Sequence, residues 1–111
     1  MKEITEEKLF ELYTDTLQKC GIRLLEMNDE SIGYYIFEEF DIGVVSFFHN
    51  DALTRLEQAN FITETIVYKS SLLRKKLMKL QNTELWNIES VKHSKEWQDI
   101  LIMSDEIKAL L

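Results

Sequence analysis

The side chains that most often carry acid–base, nucleophilic or metal chemistry are unevenly represented here: two histidines and one cysteine against 20 aspartates and glutamates. Cys20 has no histidine near it in sequence. It continues an apolar series with Leu9, Tyr13 and Leu17 at helical spacing, which predicts a core thiol rather than a nucleophile. His49 and His93 stand 44 residues apart, with no cysteine pair and no H-x-x-x-H spacing. A zinc site needs three or four ligands in reach, so this inventory predicts none unless carboxylates join. The stretch NDESIGYYIFEE, Asn28 to Glu39, puts a glycine and a glutamate where a calcium-binding EF-hand loop needs them. Its fifth residue is Ile32, which has no side-chain oxygen to give, and the match reads as chance. Glu38 and Glu39 are an adjacent acid pair of the kind used in general acid–base catalysis. Such pairs are expected without function in so acidic a chain, and on a strand the two would point to opposite faces. No nucleophile elbow, phosphate-binding loop or dinucleotide fingerprint is present in the sequence. The expectation is a protein that is not an enzyme and uses no metal or cofactor.

One stretch suits binding rather than catalysis. GYYIFEEFD, Gly33 to Asp41, combines three acids with four aromatic residues. At an interface with a basic protein, aromatic rings anchor and carboxylates steer. The partner-binding candidates are therefore Tyr34, Tyr35, Glu38, Glu39 and Asp41. The competing reading puts the rings in the core and the acids at the end of a hairpin.

The elements that would position these residues follow from composition and capping. The chain has 111 residues, 45% of them hydrophobic and 30% charged, which suits a single domain spanning 1–111 with a packed core. No apolar run approaches the length needed to span a bilayer. The opening MKEITEEKLF is acidic and has no apolar h-region, so it predicts no secretory signal. A single cysteine cannot form an internal disulfide, and a reducing cytoplasm is the expected location. Thr5 predicts an N-cap, with Glu6 and Glu7 at the positive end of the helix and Ile4 and Leu9 as a hydrophobic staple; Gly21 predicts the stop. Residues 22–49 are rich in β-branched and aromatic types, which predicts two or three short antiparallel strands at about 22–27, 33–39 and 43–49. The first of these could instead extend the preceding helix. Asn50, Thr63 and Ser94 predict the caps of three further helices, with Ile62 and Val67 as a second staple. Asn60 predicts a left-handed terminator, and NTELWNIESVK leaves room for a short strand at about 86–91. Trp97, Ile100, Leu101, Ile107 and Leu111 predict the apolar face of the last helix. Trp86 and Trp97 read as packing anchors. The expected class is α+β: an N-terminal helix, a small antiparallel sheet over 22–49, and three helices packed on it.

Charge is distributed unevenly. Residues 1–66 carry a net charge of −9, residues 67–80 carry +5, and residues 81–111 carry −3, for −7 in all. The basic island is YKSSLLRKKLMKL, Tyr68 to Leu80. On a helix, Ile66, Ser70, Leu73, Leu77 and Leu80 form its buried stripe, and Lys69, Lys75, Lys76 and Lys79 share a neighbouring arc, with Arg74 on the opposite flank. Five scattered charges make a poor nucleic-acid footprint. The arc reads as a solvated face whose lysine heads answer the protein's own acidic helices. Overall acidity disfavours nucleic acid and anionic membrane, and favours a basic protein partner.

The layout after Phe47, SFFHNDALTRLEQANFITETIVYKSSLLRKKLMKL followed by ELWNIESVKHSKEWQDILIMSDEIKALL, resembles small immunity proteins of bacterial polymorphic-toxin systems. That resemblance covers about two thirds of the chain. It implies an acidic, cytosolic, non-catalytic domain that neutralises a toxin domain, commonly a basic nuclease. The alternative is a structural or regulatory interaction module of a cytosolic or phage-derived assembly.

Overall fold

Seven α-helices follow one another over the described residues, 4–111 of the chain, in this computed structural model; no strand occurs among them. α1 runs Glu6–Gln18, α2 Asp29–Gly33, α3 Asp41–Phe47, α4 Asn50–Gln58, α5 Glu64–Leu80, α6 Ile88–His93 and α7 Lys95–Leu110. A 3-10 turn, Ile22–Glu26, follows α1, and a π-helical turn, Tyr34–Phe40, joins α2 to α3. The α+β expectation is therefore corrected to an all-helical fold.

The correction is sharpest over 22–49. The predicted strand 33–39 and residues 43–47 of the next lie in one unbroken helical run, because the backbone stays in the right-handed helical region through Gly33, Tyr34, Phe40 and Asp41. The physical reason lies in spacing. Ile32, Ile36, Phe40, Val44 and Phe48 recur every four residues, and all five are fully buried. That is one helix face, and its burial outweighs the strand preference of the β-branched and aromatic residues around it. A strict period of four does not fit an ideal α-helix, in which each step of four carries the stripe about 40° round the axis. The π turn corrects the drift. The Asp41 amide donates to the Ile36 carbonyl five residues back, so this turn holds more residues and returns the stripe to the core.

Residues 22–27 are neither strand nor a continuation of α1. The chain breaks at Gly21 and re-enters as the 3-10 turn. Gly21 is required for close approach: a Cβ there would collide with the Asp105 carboxylate, which accepts from the Ile22 amide at 3.0 Å. The predicted strand at 86–91 is also helical, since Asn87 caps α6 by accepting from the Ser90 amide at 2.8 Å.

Elsewhere local signals are followed. Thr5, Thr63 and Ser94 each accept from the amide three residues on. Asn60 takes a positive φ of 67° just past α4. The cap of α4 is not Asn50 but His49, whose Nδ1 accepts from the Ala52 amide at 3.2 Å. The α5 stripe Ile66, Ser70, Leu73, Leu77, Leu80 is buried as expected. On α7 the buried set is Trp97, Ile100, Leu101, Ser104 and Ile107, whereas Leu111 is exposed.

α5 lies against α7 and α4, and α1 packs on α3, α4 and α7. Arg55 fastens α4 to the start of α1, donating to Glu6 Oε1 from Nη2 at 2.8 Å and to the Ile4 carbonyl at 2.6 Å. Two buried polar contacts tie elements together: Tyr13 and Ser70 hydroxyls share a 2.6 Å hydrogen bond between α1 and α5, and Trp97 Nε1 donates to the Leu85 carbonyl at 2.7 Å. Trp86, Trp97 and Phe37 cluster with ring centroids 5.0–6.0 Å apart, so both tryptophans act as packing anchors.

Candidate functional site: an acidic, apolar-walled cleft

α1 and α3 pack against each other, and Gly43 of α3 lies directly against Thr16 of α1. A Cβ at Gly43 would lie 2.6 Å from Thr16 Cγ2 and 2.9 Å from Thr16 Cβ. Beside this contact, residues of α1, the π turn and α3 line an open cleft of about 460 Å³. Thr16 and Gly43 form its floor, and Leu12, Ile42 and Phe47 its apolar wall. Asp15 and Lys19 enter from α1, and Tyr34, Glu38 and Glu39 from the π turn. Ile42 is 62% exposed and Tyr34 44% exposed, so both offer apolar surface beside the cleft.

The π turn builds part of this site. Tyr34 and Glu39 are five residues apart, which would put them about 140° apart on an α-helix. The wider turn instead stacks them, and the Tyr34 hydroxyl donates to Glu39 Oε1 at 2.5 Å. That hydrogen bond to the carboxylate, with the negative charge itself, raises the Tyr34 pKa and keeps the phenol protonated. That hydrogen bond biases the orientation of the Glu39 carboxylate.

Three of the five residues expected from the sequence, Tyr34, Glu38 and Glu39, meet in this cleft. They do so on one side of a helix, not on the two faces of a strand. Tyr35 lies on another flank: it is half-buried, lines a smaller cavity of about 260 Å³ beside Gly21 and Lys108, and carries Lys19 Nζ 5.5 Å above its ring. Asp41 is committed elsewhere, accepting from Gln81 Nε2 at 2.6 Å and so tying α3 to the end of α5. Reasoning from sequence missed Asp15, Leu12, Ile42 and Phe47. The four-residue apolar period would have revealed the helix that carries the last two, but only the α1–α3 crossing brings α1 to it.

The cleft's charges are unanswered at close range. Among the described residues no salt bridge involves Asp15, Glu38 or Glu39. Lys19, the cation lining the cleft, is drawn to the face of Tyr35.

The remaining candidates resolve as follows. Cys20 is buried, and desolvation pushes its thiol up to about 12, so it is inert as a nucleophile at neutral pH. Asn28 to Glu39 is not a loop: Asn28 caps α2 and the rest is helical, so backbone carbonyls needed by a calcium loop are engaged within the helix. His93 is exposed beside Glu89, and His49 is engaged as a cap. No group of three or more metal-ligating side chains converges among the described residues. On α5, Lys76 and Lys79 share a shallow groove with Glu96 and Asp99 of α7, while Tyr68, 68% exposed, stands within the lysine arc. Arg74 is on the other flank, its Nε buried without a partner among the described residues. No helix among the described residues is long and apolar enough to cross a membrane.

Compared with protein-family models, curated proteins and solved structures, the chain matches no family model, no curated protein and no solved structure.

Proposed function

We propose that this protein is a protein-binding inhibitor of immunity type, which neutralises a basic bacterial toxin domain in the cytoplasm by occupying it rather than by catalysis. The observation that carries the reading is the cleft: exposed apolar side chains beside three carboxylates that make no salt bridge among the described residues. The apolar wall supplies anchoring area once water is expelled, and the carboxylates supply long-range attraction and orientation.

The test is genetic and kinetic. A toxin gene should lie directly upstream; its toxin domain should stop growth when expressed alone and permit growth when this protein is co-expressed. Reversing Asp15, Glu38 and Glu39 to lysine should slow association with that domain by one to two orders of magnitude at low salt, and by much less at about 1 M salt, where the Debye length is about 3 Å. Asp41, although expected in this set, is left out because Gln81 holds it. Ile42→Ala should instead speed dissociation. Growth arrest that persists on co-expression would sink the proposal.

A second reading has its own support. The exposed Tyr68 within the lysine arc of α5 gives the molecule a further surface, of opposite charge. Two unlike surfaces suit a structural or regulatory module that bridges neighbours in an assembly. In that case disrupting either surface would break the assembly, and no partner would be a toxin.

A further inference from the structure

We infer that the cleft between α1, the π turn and α3 is a receptor for one arginine side chain, presented by the bound partner. The inference rests on the reading of this cleft as the docking site and adds the chemical group that enters it. The shape of the site argues for a long side chain with an apolar stem and a charged head. Leu12, Ile42 and Phe47 offer methylene-covering surface, and the carboxylates stand beside that wall.

The arrangement of the acids selects guanidinium over ammonium. Glu39 Oε1 accepts from the Tyr34 hydroxyl, which biases the orientation of that carboxylate. Glu38 and Asp15 come from two different elements. A guanidinium is planar and carries five donors in a fixed fork, so it can bond to a pre-oriented carboxylate and to a second one at the same time. It is also weakly hydrated, so it loses less on leaving water than an ammonium does, and it stacks on aromatic faces such as the exposed Tyr34 ring. Lys19 does not pre-empt the position, because it makes no salt bridge with these acids and lies over Tyr35. The three acids and one lysine leave the cleft two negative charges in excess.

The experiment is a titration of the full-length, isotope-labelled protein followed by amide chemical shifts. The probes are three blocked tetrapeptides identical except for one position, which is arginine, lysine or citrulline. Citrulline keeps the shape and loses the charge. The arginine peptide should shift the amides of Leu12, Glu38, Glu39 and Gly43 along a saturable curve, and bind more tightly than the lysine peptide. The citrulline peptide should leave those amides in place. Glu39→Gln should weaken the arginine peptide about tenfold, the share of one charge-assisted hydrogen bond. Tyr34→Phe keeps every charge but frees Glu39, and should reduce the preference for arginine over lysine. Unchanged spectral dispersion shows that each variant is folded. Equal binding of the three peptides, shifts clustered elsewhere, or indifference to Glu39→Gln would overturn the inference. If the peptide fails while the charge reversals still slow the partner's association, the docking face stands and the arginine anchor falls. If the peptide binds as described but the reversals leave the partner unaffected, the arginine site stands and the docking reading falls.

Discussion

Replacing Gly43 by alanine should destabilise the protein, although alanine is the better helix former. In an exposed helix the change would stabilise by about 1 kcal/mol. Here the new Cβ would sit 2.6 Å and 2.9 Å from Thr16 Cγ2 and Cβ, and closer still to Thr16 Oγ1. Ordinary carbon–carbon contact lies near 3.5–4.0 Å, so α1 and α3 must part by about 1 Å. Thr16 cannot swing away cheaply: it is buried, its Cβ is fixed to the α1 backbone, and its hydroxyl donates to the Leu12 carbonyl at 2.8 Å. Overpacking of this kind costs roughly 1–3 kcal/mol, and both the contacts to a rigid atom and the loosened crossing put this site in the upper part of that range. The net loss is about 1–2 kcal/mol after the propensity gain, or a fall in Tm of about 3–8 °C for a chain of this length. Urea denaturation followed by far-UV circular dichroism gives the free energy. Thr16→Ala removes the two nearest atoms, so the double variant should recover stability relative to the sum of the singles, with a coupling of about 1 kcal/mol. A Gly43→Ala variant as stable as the parent, or more so, would show that the crossing is not close-packed and would remove the physical basis for the cleft's floor.

Three further outcomes are expected. Tyr13→Phe and Ser70→Ala should each cost roughly 1–3 kcal/mol because each strands a buried hydroxyl, whereas the double variant should cost less than their sum; strict additivity in urea denaturation would mean the 2.6 Å hydrogen bond is not formed. Cys20 should resist a thiol reagent in the native protein at neutral pH and react once urea is added, since it is buried and its thiol is pushed up to about 12; stoichiometric labelling of the native state would contradict its placement. Stability should fall on the alkaline side: burial raises Cys20 from 9.0 to about 12 and Tyr13 from 10.0 to about 12, so the unfolded chain loses each proton first, and each group contributes a decline of up to about 1.4 kcal/mol per pH unit above its unfolded value. Tyr13→Phe should remove its share of that slope, and thermal melts between pH 8 and pH 11 that are flat would count against both burials.

Local rules were enough to read much of the helical half of the molecule. The caps at Thr5, Thr63 and Ser94, the turn at Asn60 and the buried stripe of α5 depend on hydrogen bonds and side-chain spacing within about one turn, so neighbouring residues determine them. The stretch from Asp29 to Phe47 is different. Its composition favours strand, its four-residue apolar period favours helix, and the conflict is decided by which face is buried, a long-range matter. The period was present in the sequence; its meaning depended on α1, α5 and α6 offering a surface for the helical run that carries Ile32, Ile36, Phe40, Val44 and Phe48. The candidate site divides in the same way. The aromatic and acidic character of Tyr34, Glu38 and Glu39 could be read directly from the chain. Their grouping with Asp15 and Ile42, and the departure of Tyr35 and Asp41 from the set, could not. Those follow from a π turn that stacks residues five apart and from a helix crossing that only a glycine at position 43 permits, because which side chains meet across a gap is set by how whole helices pack and not by their order along the chain.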